Sequence, residues 1–202
     1  MKRTKRVTNK KVKVYQKSGL RRKQTLLDRG MHPQEIKRLV DAGLLVHVDR
    51  GIYINPNTPI TESHDLAVIA ARVPNAVICL ISALRFHGMT TQIPRQIWIA
   101  IENRAAAPRL KTRAVRIIRL TGPYLYAGIE KHTLEGVPAK IYSPAKTVVD
   151  CFKFRNKIGL DIALEALKEY RRQKKGTIDE VWRYARMGRV ANVMQPYLEA
   201  SS

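Results

Sequence analysis

Acidic side chains are scarce in this sequence. Only 16 Asp and Glu stand against 38 Lys and Arg over 202 residues, a formal net charge of +22. Such an imbalance argues for a polyanionic partner, of which nucleic acid is the commonest. Simple solubility, or a ribosome-like setting, is the plainer explanation. Cysteine is nearly missing: Cys79 and Cys151 lie far apart inside apolar runs. They fit buried thiols of a reducing cytosol better than a disulfide or a metal site. Long apolar runs are missing as well. The longest, around residues 76–84, is too short to span a bilayer, so no membrane partner is expected. The basic start lacks a following apolar stretch, which argues against a secretory signal. His32, His47 and His132 show no metal-ligand spacing, and no metal or cofactor is expected. No internal repeat is visible.

What is present is enough apolar residue for a core, 45% of the chain, in one large domain or two small ones. The charge is unevenly placed. Residues 1–25 carry eleven Lys or Arg and no acid, and residues 1–60 carry fifteen bases and four acids. Lys10, Lys11 and Lys13 interleave with Val7, Val12 and Val14, and are candidate contacts to a phosphate backbone. A second acid-free cluster comprises Arg104, Arg109, Lys111, Arg113, Arg116 and Arg119.

The stretch IKRLVDAGLLVHVDRGIYINP, residues 36–56, changes period in its middle. Residues 7–18 are expected as a helix ending at Gly19, and residues 20–29 as a second, ending at the C′ glycine Gly30. Pro33 suits the first turn of a third, which stops at Gly43. Ile36, Leu39, Val40 and Gly43 form its apolar stripe. Gln34, Lys37, Arg38 and Asp41 repeat that spacing two residues earlier, about 200° around the helix, and so face away from the core. Residues 44–48 and 52–54 then pair across Asp49-Arg50-Gly51 as a hairpin. Two helices, a glycine turn and a hairpin make a winged helix-turn-helix. Gln34, Lys37 and Arg38 would meet base edges in the major groove of double-stranded DNA. Arg50, at the wing tip, would reach a phosphate or an adjacent minor groove. Arg21, Arg22 and Lys23 would hold the backbone without reading sequence.

After the linker at residues 56–62 the pattern changes. Helices are expected over 63–73, around 83–86, over 144–154 behind the N-cap Ser143, over 160–172, after the capping box at Thr177, and over 192–198. Strands are expected at 76–79, 96–101, 114–120, 129–134 and 137–142. The fold class is therefore α/β (α+β). A winged helix-turn-helix over residues 1–55 precedes a mixed α/β domain over 63–202, which ends in helices.

Catalysis is the rival reading. Ser63, His64 and Asp65 are consecutive and cannot converge as a triad on a helix, where neighbours diverge by about 100°; Ser63 reads as a cap. His87 reads as a packed histidine. Asp150 stands alone in an apolar run and reads as a buried, hydrogen-bonded acid rather than a general base. A Mg²⁺-dependent nuclease would cluster carboxylates with a lysine. Glu102-Asn103-Arg104 follows a strand, but with Arg where Lys would be wanted and no partner Asp. A general nucleic-acid-binding protein is the other alternative.

Three long phrases, AVICLISALRFHGMTTQIPRQIWIAI, EGVPAKIYSPAKTVVDCFKFRNKIGLDIALEAL and VWRYARMGRVANVMQPYLEA, resemble the AbiEi-type antitoxins of type IV toxin–antitoxin systems, over roughly residues 15–200. The resemblance implies a non-enzymatic transcriptional repressor of its own operon in the bacterial cytoplasm, associated with the nucleoid. It also implies an antitoxin that opposes a nucleotidyltransferase-like toxin without requiring a stable complex with it. The lysine-rich leader before Val7 departs from that family pattern.

Overall fold

The computed structural model describes residues 18–108, 110 and 115–199. The helix expected over 7–18 lies outside them but for its last residue. The chain has the mixed α/β class read from its sequence, with helices at its C-terminal end. It divides into two compact units, Met1–Pro74 with Thr133–Ala139, and Asn75–His132 with Lys140–Ser202.

In the first unit, β1 (Leu20–Arg22), β2 (Val46–Asp49) and β3 (Ile52–Ile54) form an antiparallel sheet in the order β1-β3-β2. Between β1 and β2 lie α1 (Lys23–Asp28) and α2 (Pro33–Asp41). α1 closes where Gly30 turns left-handed at φ 83° and the Met31 N–H reaches back to the Leu26 carbonyl. α2 opens on Pro33, with the Glu35 carboxylate accepting the His32 N–H at 3.2 Å. That bond satisfies a donor the helix start would otherwise leave open. Leu26, Met31, Ile36 and Leu45 make a small core, flanked by Leu27, Leu39, Val40 and Tyr53. β2 starts two residues later than expected, because the Leu44 and Leu45 N–H groups still bond the Leu39 carbonyl. Gly51 closes the hairpin turn at φ 72°.

Three expectations are corrected in this unit. Residues 20–29 are a strand followed by a helix, because β1 pairs with β3 from Leu20↔Ile54 to Arg22↔Ile52. Sheet pairing overrides the helical preference of Leu and Arg. Next, α3 (His64–Arg72) packs on β1 and β3 through its buried stretch Ala67–Ala71. The division therefore falls at Pro74 instead of at residues 56–62. Lastly, the Ser63 side chain makes no capping bond. Its N–H donates to Thr61 Oγ1 at 3.2 Å.

A mixed sheet is formed by β4 (Val77–Ile78), β5 (Ile97–Glu102), β6 (Val115–Leu120), β7 (Ile129–Leu134) and β8 (Val137–Tyr142), in the order β6-β5-β4-β8-β7, and all of it but Thr133–Ala139 belongs to the second unit. β5 runs antiparallel to β4 and parallel to β6, so β6 is an edge. The helices are α4 (Leu80–Phe86), α5 (Gly122–Tyr126), α6 (Pro144–Lys153), α7 (Arg155–Ile158), α8 (Leu160–Arg172), α9 (Ile178–Met187) and α10 (Ala191–Glu199). α6 is central, packed on α4, α8 and α9, with Val148, Val149, Cys151 and Phe152 fully buried. The expected caps form: Ser143 Oγ accepts the Lys146 N–H, and Thr177 and Glu180 bond reciprocally at 3.1 and 3.2 Å. Among the described residues no helix is long and apolar enough to cross a membrane.

Candidate nucleic-acid interface

α2 separates its residues as the spacing predicts. Ile36 is 2% exposed, while Gln34, Lys37, Arg38 and Asp41 are all exposed. Gln34, Lys37 and Arg38 carry donors suited to base edges, and the cap at His32 and Glu35 fixes where the helix begins.

Beside α1 the chain forms a cleft of about 380 Å³, and its lining includes Arg22, Lys23, Gln24, Arg50 and Arg72. Strand alternation explains the membership. Arg22 points to one face of β1 and Arg21 to the other. Arg21 turns back on the protein, its guanidinium donating to the Leu20 carbonyl at 2.7 Å and the Ser18 carbonyl at 3.0 Å. Burial, with repulsion from Arg29, lowers its pKa. Of the basic residues expected to hold a DNA backbone, the structure thus gathers Arg22, Lys23 and Arg50 and sets Arg21 apart. Lys10, Lys11 and Lys13 lie outside the described residues. Arg72 carries no signal in the sequence. It closes α3, and the packing of α3 on β1 and β3 brings it there.

The turn between β2 and β3 is anchored from two sides. The Lys23 N–H donates to the Gly51 carbonyl at 2.7 Å, and Arg72 Nη1 donates to the Arg50 carbonyl at 2.8 Å. Asp49 accepts the Arg50 N–H at 2.6 Å and has Arg72 Nε at 3.6 Å. The Arg50 side chain therefore leaves a tethered backbone, unlike the tip of a free loop.

Of the second basic cluster, the described members Arg104, Arg116 and Arg119 differ in their surroundings. Arg104 is exposed. Arg116, also exposed, lies over the Trp98 ring at 5.3 Å. Arg119 is a staple, donating from Nη1 to the carbonyls of Asn103 at 2.6 Å and Ala105 at 2.8 Å. Arg109, Lys111 and Arg113 lie outside the described residues.

Neither Asp150 nor His64 and His87 stand free. The Lys146 ammonium is 2.6 and 2.7 Å from the Asp150 carboxylate oxygens, with both side chains sealed at 0% and 1% exposure. Tyr124 OH donates to Asp150 Oδ1 at 2.6 Å, and the ammonium sits 3.7 Å from the Tyr124 ring and 4.2 Å from that of Tyr142. Burial drives the Lys146 pKa down against the pull of Asp150, and burial with Asp150 drives both tyrosines up. Asp150 is thus the buried, hydrogen-bonded acid expected. Its partner four residues earlier was missed, although that i, i+4 spacing is a readable signal. His64 Nδ1 is 2.8 Å from Glu135, and His87 Nε2 is 2.7 Å from the Tyr142 carbonyl. Among the described residues no group of three His, Cys, Asp or Glu is placed to hold a metal ion.

No family model and no curated protein matches the chain. Among solved structures it resembles the crystal structure of the RV2827C protein from Mycobacterium tuberculosis, with a TM-score of 0.52 and 16% identity over 83% of this chain. The match spans 66% of that protein's length. The likeness is one of fold.

Proposed function

We propose that this chain is a DNA-binding transcriptional repressor that uses its first unit as a winged helix-turn-helix. The observation that carries the reading is the exposed row Gln34, Lys37 and Arg38 on a capped helix, in the same unit as a cleft containing Arg22, Lys23 and Arg50. The row offers donors suited to base edges, and the cleft offers cations suited to phosphates, a division of labour typical of operator binding. The resemblance of the three long phrases to AbiEi-type antitoxins extends the reading. The protein autoregulates its operon and counteracts a nucleotidyltransferase-like toxin, with no catalytic role of its own.

Lys37→Ala with Arg38→Ala tests this. Each base interaction removed costs about 1–3 kcal/mol of specific binding. The footprint on the promoter of its own operon is expected to vanish while circular dichroism stays unchanged. An unchanged footprint would show that another surface reads DNA. Equal affinity for operator and random DNA in the wild type would favour a general nucleic-acid-binding protein, and Mg²⁺-dependent cleavage would favour a nuclease.

A further inference from the structure

The cleft of the first unit is charged beyond what the fold needs. Arg22, Lys23, Arg50 and Arg72 line it. Among the described residues the side chains of Arg22, Lys23 and Arg50 have no acidic partner, and the Asp49 carboxylate at the turn already serves Arg72 and the Arg50 N–H. Cations crowded around a concave surface repel one another and stabilise any anion that enters. The geometry is also preformed, since the Gly51 carbonyl is held by the Lys23 N–H and the Arg50 carbonyl by Arg72. A site that needs no reordering keeps more of its interaction energy on binding. At about 380 Å³, the cleft falls in the range of roughly 300–1,000 Å³ occupied by small-ligand pockets. Guanidinium groups favour the paired oxygens of a phosphate.

We propose that this cleft is a phosphate-group site, and that a free phosphorylated molecule filling it excludes a DNA backbone phosphate. The second half rests on the DNA-binding reading; the first does not. Occupancy by a free phosphate compound would loosen the grip of Arg22, Lys23 and Arg50 on the backbone without touching Gln34, Lys37 or Arg38. Affinity would fall while base preference is kept.

The experiment uses the full chain with pyrophosphate as probe, titrated by calorimetry at constant ionic strength against a chloride control. Pyrophosphate is expected to bind saturably to the wild type. In Lys23→Gln/Arg50→Gln, which replaces two exposed side chains, binding is expected to weaken at least about tenfold. In Arg85→Gln/Arg95→Gln, which removes the same charge elsewhere on the exposed surface, it is expected to persist. Equal loss in both variants, or no saturable binding to a folded wild type, overturns the site. In the second arm, pyrophosphate is expected to displace labelled operator DNA at the concentrations that fill the cleft. Saturable binding without displacement overturns the exclusion alone. A wild type that binds pyrophosphate but no DNA overturns the DNA-binding reading and leaves the phosphate site standing.

Discussion

A basic residue need not meet the partner its charge suggests. Arg21, Arg22 and Lys23 are consecutive, but Arg21 spends its guanidinium on two carbonyls while its neighbours line a cleft. Arg119 is likewise occupied by Asn103 and Ala105. Each such bond contributes on the order of 1 kcal/mol. Arg119→Met should therefore lower stability by about 1–2 kcal/mol in urea while leaving operator affinity within about twofold; a large loss of affinity with unchanged stability would return it to the DNA surface. The buried pair of Lys146 and Asp150 belongs to the same scale. Breaking such a pair leaves an uncompensated charge in the core, which costs about 3–5 kcal/mol. Asp150→Ala should lose that much, whereas Lys146→Met/Asp150→Leu should recover most of it. Equal loss in the two variants would mean that packing, not charge, is what matters there.

At the scale of elements, periodicity served well where one face is buried. α2 and α8 stand where their apolar spacing puts them, and α6 and α9 open where the caps at Ser143 and Thr177 put them. It failed where a distant partner decides. Leu20–Arg22 is a strand only because β3 lies on one side and the Glu135 carbonyl meets the Leu20 N–H at 2.7 Å. Gly19, expected to stop a helix, has φ 114° and no room for a Cβ against that carbonyl. The cleft was legible for three of its four cations: Arg22, Lys23 and Arg50 are named from the sequence as phosphate contacts, and Arg72 is not. The turn at Glu135 carries a testable pH dependence. Its side chain is 2% exposed, and burial alone would raise its pKa. Bonds from the Thr61 N–H, His64 and Thr61 Oγ1 outweigh burial and hold it below the ordinary value. A depressed carboxyl contributes stability that is complete above its unfolded pKa of about 4.3 and lost as pH falls through the lower folded value. Glu135→Gln should destabilise the protein at pH 7 and flatten the loss of stability below about pH 4, as followed by urea unfolding across pH. Parallel acid limbs in wild type and variant would count against it.

At the scale of the whole molecule, the excess charge lies outside the described part of the first unit. Residues 1–17 hold eight bases and no acid, whereas residues 18–74 with 133–139 hold eight bases and seven acids. The remainder of the chain holds twenty-two bases and nine acids. On the proposed reading, long-range attraction to a polyanion comes chiefly from outside that part of the first unit, and selectivity from within it. Replacing Lys10, Lys11 and Lys13 with Gln should weaken operator and random DNA alike. The slope of log affinity against log salt should flatten by roughly 0.9 for each phosphate no longer neutralised. An unchanged slope would assign those lysines to solvation.

The docking of Thr133–Ala139 with the first unit makes that unit discontinuous in the chain. When Pro74 leaves the ribosome, the carbonyl that meets the Leu20 N–H and the acid that bonds Thr61 and His64 have not yet been translated. At about 5–20 residues per second, the roughly sixty residues still to come delay completion by several seconds. The nascent first unit stays unfinished, with β1 open on one edge, until Glu135 emerges. A ribosome stalled between Pro74 and Glu135 would hold α2 without its finished frame. If the proposed reading holds, operator binding would begin only after half of the second unit has been made.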